Sequence, residues 1–420
     1  MSVQMPPDHA HARLLSQVRF WVIGLGLLFC LIGILDGQDS DVRFYLPMFN
    51  GIFEGIKAPF SSRVLYPLLV SLISGDFPVE WVTWTASALM SVGFLWILKE
   101  IFEELGFPPL LKWVGVAGGY LPFTFTEPMM PDLIGMLLFA LIILLWIRKQ
   151  PIWAIAMMFP LAMARESYLL FALVLLVLAW RSQYRWYGVA AFVVFGLGMF
   201  AASLVTDSIG NRQGLSSGLY LLLKIPVNFA RNYLGLSIWT ETLDEIIQQR
   251  PDMVFELPPV LQVGEIRSVG IVEWNFSIMA WTFASVLGLH GLAMPLYLRG
   301  RHLIRQTLRE TPWILRVVAV ASLVTIVVGP SFGATVSRLV GYGWPMASVI
   351  VPLVLMRLAP ERRDKLAVIH LVLLSVAAFL MFGYEDWVTA TRLVVAPLTI
   401  FLVLFYALPA LKRELEPEKS

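Results

Sequence analysis

Charge is scarce in this chain. Asp, Glu, Lys and Arg make up 14% of its 420 residues, against about 25% in a soluble domain. That shortage excludes an ordinary soluble globule, and 58% hydrophobic residues with a mean hydropathy of +0.75 point to a membrane protein. Cysteine is nearly absent too: Cys30 is the single one, which excludes an intramolecular disulfide and any cysteine-held metal. His9, His11, His290, His302 and His370 are scattered, with no pair at metal-ligand spacing on the outer face. No Gly-rich phosphate loop follows a strand and no Gly-x-Ser-x-Gly elbow occurs, so nucleotide chemistry on the cytoplasmic side has no visible site. The net charge of +2 says little about partners, and no nucleic acid is expected among them.

What the chain has is apolar length. Runs of about 20 residues, enough to cross ~30 Å of hydrocarbon, recur throughout. Basic residues collect on the cytoplasmic side of membrane proteins, so the Lys/Arg clusters at 13–19, 99–112, 148–149, 181–185, 299–316, 357–365 and 412–413 pin the topology. Spans near 18–35, 79–98, 113–127, 131–147, 151–164, 167–180, 186–206, 274–298, 313–330, 341–357, 366–383 and 392–411 satisfy that parity. The expected fold is an all-α polytopic membrane protein of about 11–13 transmembrane helices with interfacial juxtamembrane helices. Residues 1–420 form a single transmembrane domain, with no soluble domain expected at either end. The run Phe20 to Leu35 reads as an uncleaved signal anchor, and residues 61–74, short for a span, as re-entrant or interfacial.

Two connections stand out. The first outer loop, 36–61, carries Asp39 and Asp41 and then Tyr45, Met48, Phe49, Ile52, Phe53 and Ile56 at spacings of three and four, which is one helix face. That helix is expected to lie flat in the interface with its aromatic face toward lipid. The large extracytoplasmic loop, 207–273, reads as flexible from Asn211 to Gly218, helical from Tyr220 to Leu236, and broken at "ELPPV".

On this topology the outer face gathers Asp39 and Asp41, Arg63, Glu127 and Asp132, the adjacent Arg165 and Glu166, Arg338 and Arg392. Most lie at span ends or in short loops, and several are expected to converge on one pocket. Ionisable residues at membrane depth are functional by default. Each also has a plainer role: an aspartate caps the juxtamembrane helix, Arg165 and Glu166 neutralise one another, and Arg338 and Arg392 reach to headgroups. Glu385 and Asp386 read as a solvated turn.

The acidic pair after the first span, the amphipathic helix, "SSRVLYPLL", and the later "TEPMMPDLIG", "MARESYLL" and "SRLVGYGWP" resemble the GT-C superfamily of integral-membrane glycosyltransferases. The resemblance implies an inverting transferase. It would move a sugar from a polyprenyl-phosphate-linked donor to a glycan, lipid or protein acceptor at the extracytoplasmic face of a bacterial inner membrane. In that scheme Asp41, or else Asp39, takes the acceptor proton. An arginine, first Arg338, then Arg392, Arg63 or Arg165, stabilises the leaving phosphate. Glu127, Asp132 and Glu166 hold sugar hydroxyls or, with the aspartate pair, a divalent ion. Oxygen ligands suit Mg or Mn, and the resemblance leaves metal dependence open.

Two other readings stay open. A surface-polysaccharide polymerase or ligase would use the large loop, which holds Arg212, Arg231, Arg250 and Arg267. A lipid or sugar transporter or flippase would show matching broken helices in two halves, and no such halves are visible.

Overall fold

A computed structural model describes residues 42–54, 56, 60–75, 77–121, 130–206, 217–239, 254–256, 268–274, 276–333, 336–382 and 398–415. The chain is helical throughout most of this length. It opens with α1 (Val42–Phe49) and α2 (Leu65–Ser74), then a long α3 (Val79–Glu104), α4 (Pro109–Tyr120) and α5 (Asp132–Ile147). A broken pair, α6 (Pro151–Ala156) and α7 (Met158–Ala164), leads through a 3-10 turn at Glu166–Tyr168 to α8 (Leu169–Trp180) and α9 (Arg185–Val205).

The large loop begins with α10 (Ser217–Leu234), and its strands are β1 (Leu236–Trp239), β2 (Val254–Glu256) and β3 (Ser268–Trp274). Beyond it come α11 (Phe276–Gly288), α12 (Ala293–Arg299), α13 (Arg301–Glu310), α14 (Trp313–Val328) and α15 (Val336–Gly341). A π-helical turn, Met346–Ile350, continues into α16 (Val351–Leu355); α17 (Pro360–Phe382) and, after a second π turn at Leu402–Ala407, α18 (Leu408–Leu415) close the described chain.

By length and composition three helices among the described residues suffice to cross a membrane: α3, α9, and α14 with its 3-10 extension to Phe332. α3 alone runs 26 residues, about 39 Å at 1.5 Å per residue. α11 and α12 together make a fourth candidate, bent by 76° at the break between them. The outward face of α9 shows what these helices meet. Val193, Leu197, Phe200 and Leu204 are all exposed and recur every three or four residues, an apolar stripe that water would not tolerate. The chain is therefore membrane-associated.

Other expected spans are shorter or interrupted, for local reasons. The expected span 274–298 is broken at Gly291, whose φ is +58° and where a Cβ would sit 2.4 Å from His370 Nδ1. Only glycine takes that backbone without strain. The segment 341–357 is a π turn followed by α16: the Pro352 ring displaces the carbonyl four residues earlier, and Ser348 turns its hydroxyl to the Gly115 carbonyl at 2.6 Å. α2, ten residues long, reaches only about 15 Å.

Two expectations need correction. The aromatic face of the first helix does not turn to lipid. Tyr45, Met48 and Phe49 are fully covered, packed with Val64, Tyr66, Val70, Met130, Ile134 and Met163. Phe49 meets Tyr66 edge-on at 5.6 Å. A hydrophobic stripe satisfies its burial against protein as well as against lipid, and here protein supplies it. The helix also ends at Phe49, before a Gly51 with φ +80°, and Ile52 is exposed.

The second correction is that the chain is not wholly α. The strands form an antiparallel sheet in the order β1-β3-β2, with Leu236 opposite Trp274 and Val254 opposite Gly270. Gly235, φ +72°, ends α10 in the left-handed conformation usual after a helix and turns the chain into β1. The helical part of this loop starts at Ser217 and stops at Leu234. Residues 211–216, part of the stretch read as flexible, lie outside the described residues, as does the "ELPPV" break apart from its first glutamate.

Candidate functional site

The charges that sequence reasoning gathered on one face meet in a buried network at the ends of four segments. Asp132 is the first residue of α5, where the positive end of the helix dipole favours a carboxylate. It is completely buried. Arg338, from α15, donates to Asp132 Oδ2 from Nε at 3.0 Å and from Nη2 at 2.6 Å. Arg165 Nη2 lies 3.2 Å from Asp132 Oδ1, an ion-pair approach outside hydrogen-bond geometry.

The break between α7 and α8 is what allows Arg165 and Glu166 to serve opposite partners. Arg165 is extended, φ −160° and ψ 118°, so adjacent side chains diverge as they do along a strand. Glu166 takes a forked contact from Arg63, with Nε at 2.9 and 3.1 Å from its two oxygens and Nη2 at 2.5 Å from Oε1. Ser62 Oγ adds a hydrogen bond at 3.3 Å, and Arg63 Nη1 donates to the Tyr45 hydroxyl at 3.0 Å. Arg63, Arg165 and Arg338 are 7%, 2% and 4% exposed.

The two halves differ in saturation. Arg63 is met on every nitrogen, and Arg338 is clamped to Asp132. Arg165 is not: its Nε and Nη1 are buried with no hydrogen-bond partner among the described residues. Its guanidinium carbon lies 5.0 Å from the Tyr342 ring centroid, so the ring face takes up part of the charge. Among the described residues, three arginines face two carboxylates here.

Behind the network stands an aromatic wall. Tyr168 meets Tyr342 at 5.6 Å and Phe139 at 4.9 Å, and Trp344 meets Phe94 at 5.1 Å. A cavity of about 10 Å³ opens among Ser167, Tyr168, Ser322, Thr325 and Tyr342, room for about one water. The Ser167 and Ser322 hydroxyls are buried without a hydrogen-bond partner among the described residues, so a water there would have donors and acceptors to meet. Gly135 lets the wall close, since a Cβ there would lie 3.1 Å from the Tyr168 ring.

Five of the nine residues singled out from sequence thus come together: Arg63, Asp132, Arg165, Glu166 and Arg338. Asp39, Asp41, Glu127 and Arg392 lie outside the described residues. The expectation that Asp132 and Glu166 bind sugar or a divalent ion meets a geometric obstacle, because their oxygens already face arginines. Among the described residues the network therefore offers Mg or Mn no oxygen that does not already face an arginine, and the other expected ligands, Asp39, Asp41 and Glu127, lie outside the described residues. No group of three or more His, Cys, Asp or Glu placed to hold a metal ion occurs among the described residues.

Sequence reasoning missed Tyr45 and Tyr342. Tyr342 follows Arg338 by four residues, the spacing of side chains on one helical face, and that signal was readable. Tyr45 was seen only as one of an apolar stripe. Compared with known proteins, the chain matches no family model, no curated protein and no solved structure.

Proposed function

We propose that this chain is a membrane glycosyltransferase of the GT-C kind, moving a sugar from a polyprenyl-phosphate-linked donor to an acceptor hydroxyl. In this reading the fold is polytopic, with about 11–13 transmembrane helices, in a bacterial inner membrane, and the charged network faces the periplasm. The observation that carries it is Arg165, a buried guanidinium with two nitrogens unmatched among the described residues.

A phosphate oxygen is an acceptor that either of these free N–H groups suits, because a guanidinium–phosphate hydrogen bond is charge-assisted and short. The charge that grows on the departing phosphate would be stabilised by a donor already oriented and shielded from water. The order of arginines changes accordingly. Arg338, first in line from the sequence, holds Asp132, and Arg63 holds Glu166; of these three described arginines, Arg165 is the one with buried nitrogens unmatched among the described residues. Asp132 and Glu166 become the residues that orient the arginines. Asp41, four residues before the Tyr45 that Arg63 grips, stays the proposed base, with Asp39 as the alternative. Attack opposite the leaving phosphate inverts the anomeric centre. The acceptor, a glycan, lipid or protein, would enter beneath the 207–273 loop.

The test is transfer of labelled sugar from a polyprenyl-phosphate donor in proteoliposomes. Arg165→Gln and Asp41→Asn should each lower turnover at least 100-fold. Full activity of both variants, or none from the wild-type protein with any such donor, would refute the proposal.

One observation favours a second reading. The 76° break between α11 and α12 is the kind of discontinuous helix that lines transporter sites. If Asp41→Asn kept sugar transfer but stopped movement of a lipid-linked sugar across the bilayer, the transporter reading would replace the enzyme.

A further inference from the structure

The other concentration of arginine lies on α13, "RHLIRQTLRE", which joins α12 to α14 through Gly300 on one side and Thr311-Pro312 on the other. With linkers this short and a candidate span opening at Trp313, α13 is held at the level where the spans end. Its inner edge is fixed by protein. Ile304 and Thr307 are buried, Leu303 and Leu308 pack on the core, and the helix lies against α14 and α16. Its C-terminal carbonyls are capped from outside: Arg316 donates to Leu308 O at 2.5 Å and to Arg309 O at 2.9 Å.

The outer edge has no such partners. Arg301, Arg305 and Arg309 are exposed and stand four residues apart, one column about 12 Å long. None of the three side chains forms an ion pair or a hydrogen bond among the described residues. Neighbouring carboxylates are engaged elsewhere: Glu310 by Arg357 at 2.5 Å, Asp364 by Arg363 at 2.8 Å, and Glu414 by Lys365. Arg299, at the end of α12, is also exposed, as is Arg413 of α18, whose Leu415 touches the α12–α13 joint at Gly300.

We propose that this column binds the headgroups of anionic phospholipids in the leaflet it borders. Charge and place together select that occupant. Basic residues on an amphipathic helix beside a span recognise anionic headgroups, and a guanidinium grips a phosphate with two donors. On the orientation proposed above this is the cytoplasmic leaflet, on the side away from the Arg165 network.

The experiment measures binding of dioctanoyl phosphatidylglycerol and dioctanoyl phosphatidylcholine to the purified full chain in detergent. Wild-type protein should prefer the anionic lipid. The triple variant Arg301→Gln, Arg305→Gln, Arg309→Gln should lose affinity for it on the order of 100-fold, each charge contributing about fivefold. The matching triple lysine variant, which keeps charge and the exposed positions, should retain most of it, so that loss of fold and loss of charge are told apart. Unchanged binding by the glutamine variant overturns the proposal, as does equal affinity for the zwitterionic lipid. Displacement of the lipid by equimolar ATP also overturns it, since the column would then be a general polyanion surface.

Discussion

Two sets of ion pairs in this chain use the same chemistry under opposite conditions. Asp132, Arg165 and Arg338 meet where no atom of Asp132 is accessible. Arg148 meets Glu100 at 2.5 Å and Glu104 at 2.8 Å with its side chain 38% exposed. An exposed pair gains little, because water and salt already screen the charges and two flexible side chains must be held still. A buried pair forfeits hydration on both sides, and an apolar substitute of like size is often as stable. The Arg148 cluster is therefore a modest fastening between α3 and the end of α5. The Asp132 network is costly to build and costly to break, which is a poor design for stability alone and a good one for holding a guanidinium dry and oriented.

The sharpest way to break the contrast is to remove the shared carboxylate. Asp132→Asn removes the carboxylate that Arg165 and Arg338 share. Breaking a buried pair in this way costs about 3–5 kcal/mol, so a marked fall in melting temperature in detergent is expected. Next comes Arg338→Met, which leaves Asp132 with only the angled approach of Arg165. It should destabilise by about 2–3 kcal/mol, measured in the same melt. A silent Asp132→Asn would mean that the network is wetted and the comparison unfounded.

How far the sequence carried these conclusions varies with the kind of information needed. That Arg63, Asp132, Arg165, Glu166 and Arg338 would matter was legible, because charges in an apolar chain must find partners. Which partner each finds was not. Arg338 and Asp132 are 206 residues apart and Arg63 and Glu166 are 103 apart, and no local pattern encodes such pairings. The break at Ala164-Arg165-Glu166 was visible as two short apolar runs. The bend at Gly291 was not, since the apolar run around it continues unbroken and the φ that glycine permits leaves no trace in hydropathy. Tyr45, Met48 and Phe49 failed for a different reason: a stripe bound for lipid and one bound for protein have the same composition. The sheet was missed because "LSIW" and "SVGIVEW" are short, and their pairing spans the interior of a long loop.

Arg165→Met separates stability from function most directly. Its guanidinium has two buried nitrogens without acceptors among the described residues, and Asp132 keeps its two bonds from Arg338 without it. Replacement by an apolar chain of similar length should leave stability within about 1 kcal/mol of wild type, or raise it, while sugar transfer falls at least 100-fold. A variant that melts early would show that Arg165 is structural and that the network has no unused binding capacity.

The smallest effect belongs to the exposed cluster. Arg148→Ala removes two ion pairs at once, yet the expected loss is about 0–1 kcal/mol, shrinking further as salt is raised because exposed charges are screened over about 10 Å at 0.1 M. The Asp132 network should show no such salt dependence, since mobile ions do not reach it. Melts of Arg148→Ala and Asp132→Asn at low and high salt would therefore place the two clusters on different curves. Parallel salt dependence in both would mean that the buried network is open to solvent and that Arg165 has no dry environment in which to act.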